Sequence, residues 1–287
     1  MKPLKVGNVS VSSIIEREGP WRAPATMFPT ATPEKLVETM ARVPDFAYDR
    51  QQDLLCITYQ TFVIRTPRCT ALIDTCVGEH QNRPPQLLFN KQPWLDGFAA
   101  HGLKFDDIDY VFCTHLHVDH VGWNTRLRDG RLVPTFPNAK YVFSRTEYEH
   151  WKKATEPGFA AVHEDCVEPI VKAGQALLVD DAFVLSDELR LVPTPGHSPG
   201  HVCVDLQSGG ERALFTGDMM HHCAQVLQPD WSSCFCYDVK ASAATRWRFF
   251  REHVNTDTLV IPTHFPGTTA GRIAPLGEAF EFKFLAP

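Results

Sequence analysis

The sequence predicts a layered α/β fold, with two β-sheets packed face to face and helices on their outer sides around one core. Three observations carry that expectation. Short runs rich in Val, Ile and aromatic residues open and close the 287-residue chain. Helical patterns fall between them, and no repeat, low-complexity tract or linker divides the chain. Residues 1–287 are therefore expected to form a single domain, long enough to bury a sizeable core.

Strand-like runs recur at 5–16, 54–66, 70–75, 110–114, 140–144, 188–194, 201–207, 212–218 and 258–264. Most combine alternation with β-branched and aromatic enrichment, as strands do. Helices are expected at 84–102, 144–154 and 238–254. The first ends at Gly102, a residue suited to a C′ cap. The second opens with Ser144 three residues before Glu147, the capping-box spacing. The third opens with Asp238 as N-cap and carries Ala, Trp and Phe at helical spacing. The Pro- and Thr-rich stretch 17–34 reads as a surface loop.

Composition narrows the function. A net charge of −6 gives no electrostatic footprint for nucleic acid or an anionic membrane surface. No run approaches the length of a membrane span, and the N-terminus lacks the apolar segment of a signal peptide. Nine cysteines include no Cys-x-x-Cys pair, and several sit in strand-like runs as small hydrophobes. A reduced, cytoplasmic compartment is expected. Thirteen histidines direct attention to metal ligands.

The densest chemistry lies in CTHLHVDHVGW, residues 113–123. An apolar strand stops at Thr114, and His115, His117, Asp119 and His120 follow at once. Imidazole and carboxylate ligands without thiolate suit zinc, iron, manganese or cobalt. One such histidine would ordinarily be a solvated loop residue. Four ligand-type residues in six positions point instead to two ions served from one turn. Downstream, TPGHSPGH places His197 and His201 in a turn between strands, and either is a ligand candidate. TGD ends another strand in Asp218, and PTHF ends the last in His264. Singly these read as turn and surface residues. Together, four strands end in metal-ligand types, as a binuclear hydrolytic site requires. There a shared carboxylate bridges ions roughly 3.5–4 Å apart, and a hydroxide between them attacks the substrate.

The set THLHVDH, TPGHSPGH, TGD and PTHF, in this order, resembles the metallo-β-lactamase superfamily, over nearly the whole chain. The resemblance implies a four-layer αβ/βα sandwich with the site at one edge between the sheets. It implies two divalent metal ions, zinc first among them and iron, manganese or cobalt also accepted. His115, His117 and His197 would hold one ion, Asp119, His120 and His264 the other, and Asp218 would bridge them. Asp74 in LIDTC matches a strand-end aspartate that orients a ligand histidine. His201 matches a position that is not a ligand, and it is assigned no role.

Within that superfamily the pattern looks like the lactonase and esterase branch, which includes the N-acyl homoserine lactonases and methyl-parathion-hydrolase-like enzymes. The expected reaction is opening of a lactone or cleavage of a carboxylic ester, with phosphotriesterase or β-lactamase activity as the alternative. A diiron redox protein is disfavoured because His117 stands where that group carries Glu, and a non-catalytic metal-binding module is the remote alternative. One departure matters: acyl homoserine lactonases carry Tyr three residues after the bridging Asp, and here that residue is His221. Asp119 and His221 are the candidates for protonating the leaving alkoxide, although His221 reads equally well as a polar rim residue. Trp123, His221, Trp231 and Phe265 are candidate substrate contacts, with Phe235 in the same aromatic cluster and Phe265 the one that most resembles core. The expected partner is a small-molecule substrate, with no nucleic acid and no membrane; a homodimer is the one protein assembly considered.

Overall fold

The structure is a computed structural model that describes residues 1–78 and 90–286. An eight-stranded sheet contains β1 (Leu4–Val6), β2 (Val9–Arg22), β3 (Tyr48–Asp49), β4 (Leu54–Arg65), β5 (Thr70–Ile73) and β6 (Tyr110–Phe112). A small ribbon of β7 (Thr125–Arg128) and β8 (Arg131–Pro134) stands apart. β9 (Lys140–Ser144) and β10 (Ala176–Val179) complete the first sheet, in the order β1-β2-β4-β5-β6-β9-β10 with β3 beside β4. The second sheet runs β11 (Leu189–Pro193), β12 (Val202–Ser208), β13 (Glu211–Phe215), β14 (Leu259–Ile261), β15 (Gly271–Leu276) and β16 (Ala279–Phe284), each strand beside the next. Pairing is parallel from β5 through β6, β9 and β10, and between β13 and β14.

Side-chain alternation builds the layers. On β5, β6, β13 and β14, Ala71, Ile73, Phe112, Ala213, Phe215 and Ile261 point between the sheets into a shared core. Their neighbours Leu72 and Val111 face outward on the first sheet, and Leu214 and Val260 outward on the second. Burying each such side chain contributes roughly 1.5–3 kcal/mol before the entropy of ordering it. The outer faces are covered by helices: α1 (Pro24–Met27), α2 (Pro33–Met40), α3 (Lys91–Ala100), α4 (Val118–Val121), α5 (Arg145–Trp151), α6 (Pro157–Val162), α7 (Glu168–Lys172), α8 (Ala224–Leu227) and α9 (Val239–His253). Trp94 and Phe98 of α3 pack on the first sheet, and Phe249 and Phe250 of α9 on the second. The result is the expected four-layer αβ/βα sandwich. Among the described residues, no helix is long and apolar enough to cross a membrane.

The expected N-cap bonds form, but Glu147 does not close the capping box, because its carboxylate bonds Leu116, Trp151 and Gly200 instead. The Ser144 side chain accepts from the Glu147 N–H, and Asp238 accepts from Lys240 and Ala241. The expected helix at 84–102 is seen as α3, and residues 84–89 lie outside the described residues. The stretch 17–34 is not a loop. β2 continues to Arg22, and Pro24 and Pro33 open α1 and α2 at positions where a missing N–H costs nothing. Phe28, fully buried and 5.4 Å from Trp231, anchors this segment in the core.

Candidate metal centre

The strands that line up in the two sheets deliver their C-terminal ends to one edge. Asp74 follows β5, His115 to His120 follow β6, His197 lies between β11 and β12, Asp218 follows β13 and His264 follows β14. Short polar turns sit there because the core strands end, and the strands themselves hold the turns rigid.

Two groups of side chains form, His115–His117–His197–Asp218 and Asp119–His120–Asp218–His264, with the offered atoms of each group within 4.8 Å of one another. In the first group, His197 Nε2 lies 3.1 Å from His115 Nε2 and 2.9 Å from His117 Nδ1. Asp218 belongs to both groups. Its Oδ2 faces His197 Nε2 at 3.3 Å and His115 Nε2 at 3.7 Å. Its Oδ1 faces His264 Nε2 at 3.0 Å and His120 Nε2 at 3.2 Å. Asp119 Oδ2 stands 3.4 Å from His264 Nε2.

The outward nitrogens are tied down. His120 Nδ1 donates to Asp74 Oδ2 at 2.8 Å, and His264 Nδ1 donates to the Thr58 carbonyl at 2.8 Å. Asp74 also accepts from the Thr114 N–H at 2.8 Å, and Thr114 Oγ1 lies 3.1 Å from His115 Nδ1. Each bond keeps the Nδ1 proton on the outward side and turns Nε2 inward. Among the described residues, His120 Nε2 and Asp218 Oδ1 are buried yet find no properly aligned hydrogen-bond partner. Groups of this kind normally find a partner. A pair of divalent cations fits them: two sets of imidazole and carboxylate atoms converge, and one carboxylate turns an oxygen to each.

The electrostatics divide the same way. Burial holds His115 and His197 well below the ordinary histidine range and brings His117 down to about 4, so these rings are neutral. Burial also opposes charge on His120 and His264, but Asp218 and nearby carboxylates outweigh it and raise both. For Asp218, burial works against ionisation and the surrounding histidines overcome it, leaving the carboxyl well below its usual range. Neutral imidazoles and an ionised carboxylate are the forms that bind metal, so His115, His117, His197 and Asp218 already stand in that form, while at His120 and His264 a metal ion would displace a proton.

The remaining expectations divide. His221 is buried against the site rather than on its rim: its Nε2 lies 3.1 Å from Asp218 Oδ2 and its ring stacks on His264 at 5.6 Å. The neighbouring His222 turns away and donates to the Ala47 carbonyl at 2.8 Å. The candidate contacts Trp123, Trp231 and Phe265 belong to the core. Trp123 stacks on Trp94 at 4.5 Å and donates its indole N–H to Glu16. Trp231 packs on Phe28, and Phe265 is fully buried with Phe282 at 5.0 Å. The loop-like sequence context of Trp123 and Trp231 hid the outer layer that covers them, whereas Phe265 is the core residue it most resembled in sequence.

A groove of about 680 Å³ opens beside His117, with Trp151, Phe159, Phe235 and Tyr237 among its walls. Its volume is that of a small-molecule site. Phe159, Phe235 and Tyr237 are exposed large hydrophobics; Phe235 was expected here, and Phe159 and Tyr237 are the two that sequence spacing did not carry. His201 also has a structural place: its Nε2 accepts the Asp218 N–H at 3.0 Å, and its Nδ1 donates to Thr194 Oγ1. Burial brings its pKa down to about 3, which suits that acceptor role. Gly217 permits the close approach. Its φ is +49°, and a Cβ there would sit 2.8 Å from His201 Nε2.

Comparison with known proteins adds to this geometry. A family model described as the metallo-beta-lactamase superfamily matches residues 57–273. The chain is 33% identical over 122 residues to the N-acyl homoserine lactonase AttM of Agrobacterium fabrum (strain C58 / ATCC 33970), covering 40% of this chain and 42% of AttM. It is 30% identical over 112 residues to an N-acyl homoserine lactonase of Bacillus thuringiensis, covering 37% of this chain and 36% of that protein. The matched segments thus span less than half the length of these curated relatives. Among solved structures, AidC, a dizinc quorum-quenching lactonase in complex with a product, aligns with a TM-score of 0.83 at 20% identity, covering 100% of this chain and 97% of AidC. The hydrolase AbOPH aligns with a TM-score of 0.84 at 20% identity, over 99% of this chain and 97% of that one.

Proposed function

The chain belongs to the metallo-beta-lactamase superfamily, and from that premise we propose that it is a binuclear metal-dependent hydrolase that opens a lactone or cleaves a carboxylic ester. The observation that carries this reading is Asp218, one carboxylate with an oxygen turned toward each of two histidine groups. When bound, two divalent ions, zinc first among them, would supply Lewis acidity and a water acidic enough to ionise near neutral pH. His115, His117, His197 and Asp218 would hold one, and Asp119, His120, His264 and Asp218 the other.

The chain's own side chains do the rest. Asp74 and the Thr58 carbonyl hold His120 and His264 in one tautomer. Asp119, with 20% side-chain exposure against 4% for Asp218, is the carboxylate with access to bulk water. It is suited to pass a proton to a leaving alkoxide. His221 lies against Asp218, its Nδ1 without a hydrogen-bond partner among the described residues, and we assign it the same task or a hydrogen bond to the substrate oxygen. The groove beside His117, walled by Trp151, Phe159, Phe235 and Tyr237 with Glu149, Lys153 and Glu156 among them, offers apolar contact to a substrate substituent.

A hydrolysis screen on zinc-reconstituted protein tests this, run across lactones, aryl esters, phosphotriesters and a chromogenic β-lactam. Lactone or ester turnover that disappears in both His117→Ala and Asp218→Asn supports the proposal. Undiminished turnover in both variants, or turnover of the phosphotriester or β-lactam alone, refutes it.

A further inference from the structure

Two buried glutamates flank the site and share one device. Glu16 of β2 accepts from the backbone N–H of Val77 and of Gly78 and from the Trp123 indole. Glu147 of α5 accepts from the Leu116 N–H at 3.2 Å, the Gly200 N–H at 2.8 Å and the Trp151 indole at 2.5 Å. Each is nearly inaccessible, at 3% and 1% exposure. A buried carboxylate is costly unless several donors satisfy it, so the choice of donors is informative.

The donors of Glu147 are the metal-ligand loops. Leu116 lies between His115 and His117, and Gly200 closes the turn that carries His197. The two loops are 82 residues apart at His115 and His197, and Glu147 is bonded to both. Gly200 has no space for a side chain, since a Cβ would lie 2.3 Å from Glu147 N. Trp151, the third donor, is a wall of the aromatic groove.

We infer that Glu147 is a positioning residue that sets the spacing of His115, His117 and His197 by bonding their two loops to one carboxylate. Oε1 holds Leu116 and Trp151, and Oε2 holds Gly200. In Glu147→Gln one of those oxygens becomes an NH₂ group facing an N–H. If the amide keeps its oxygen on the two-donor side, Gly200 is released and His197 loses its register against the other two rings. Glu16, bonded to Val77, Gly78 and Trp123, reaches neither Leu116 nor the turn that carries His197. This inference rests on the metal-binding reading of the site.

The test measures zinc affinity one site at a time, by competition with a chromogenic chelator. In a His264→Ala background, where the first site remains, Glu147→Gln weakens zinc about 10–100-fold, the range for groups that orient ligands. In a His117→Ala background, where the second site remains, it changes affinity less than about 3-fold. Glu16→Gln leaves the first site within about 3-fold, which separates positioning from a general loss of packing. Equal weakening at both sites, or none, overturns the assignment of Glu147. Absence of zinc binding in the His264→Ala protein with Glu147 intact overturns the metal reading itself. Reciprocity supplies a measurement that needs no variant: if these bonds favour zinc, zinc must favour the bonds. Zinc added to the unaltered protein should slow amide exchange at Leu116 and Gly200 together, and unchanged exchange at both overturns the inference even if Glu147→Gln does not fold.

Discussion

Replacing Asp74 with asparagine changes little in shape and much in hydrogen bonding. The residue sits at φ 56°, a left-handed backbone that asparagine tolerates, so the substitution adds no strain. Its two oxygens have separate duties: Oδ1 accepts the Thr114 N–H at 2.8 Å, and Oδ2 accepts His120 Nδ1 at 2.8 Å. An amide can serve only one of them. If its oxygen stays with Thr114, its NH₂ group faces His120, and the ring must shift its proton to Nε2, where it blocks a metal. If its oxygen turns to His120, the buried Thr114 N–H is left unpaired, at a cost of about 1–3 kcal/mol. Either way, zinc affinity at the Asp119–His120–His264 site should fall about 10–100-fold, or roughly 1.4–2.8 kcal/mol. The first site should fall less, because Asp74 reaches His115 only through the Thr114 hydroxyl. Chelator competition in the His117→Ala and His264→Ala backgrounds measures the two separately. A second site that binds zinc as tightly in the Asp74→Asn variant as in the protein that keeps the aspartate would refute the tautomer reasoning.

Asp218→Asn should weaken both sites at once and lower kcat/KM on the order of 10²-fold or more, because several kcal/mol of charge stabilisation are lost; zinc stoichiometry and initial rates check this. Phe159, 40% exposed on the groove wall, should tolerate alanine within about 0.5 kcal/mol of stability while KM for an ester with an apolar substituent rises about 10-fold. Trp123→Ala should do the reverse, costing about 3–5 kcal/mol with KM little changed; thermal melts and kinetics on both variants separate core from groove. His222, buried with its pKa brought down to about 4, contributes stability that is present above the unfolded histidine pKa and lost as pH falls from about 6.5 to 4. The loss amounts to roughly 3 kcal/mol. Urea midpoints of His222→Gln across that range should show a shallower acid slope than the unaltered protein, and parallel curves would count against this account.

Much of the fold was legible because the core strands carry their own signal. YVF at 110–112 and ALF at 213–215 alternate between two cores, and that period of two is written in adjacent residues. The strand ends were legible for the same reason: an apolar run that stops at a ligand-type residue marks an edge. The segment 17–34 was misread because proline signals both loops and helix starts, and only the burial of Phe28 decides between them. β15 and β16 escaped notice because Gly271 and Pro275 weaken one strand and Lys283 and Glu281 dilute the other, while a hairpin partner supplies what local propensity does not.

The site shows where residue type stops being informative. His115, His117, Asp119 and His120 lie within six positions, so their convergence at one place could be read directly. Glu147 could not, because its capping-box position explains a glutamate there without any other role, and the cap itself is made by Ser144. Its reach to Leu116 and Gly200 exists only after α5 packs against two loops from different sheets. The same holds for the groove. Trp123 and Trp231 look like pocket residues along the chain, yet helices cover them, whereas Phe159 and Tyr237 come from separate segments and meet beside His117. Metal ligands must meet fixed bond directions and so cluster in motifs, while a groove needs only apolar area from wherever the fold brings it. Reaction class can therefore be argued from sequence in this chain, and substrate preference has to be argued from the walls around His117.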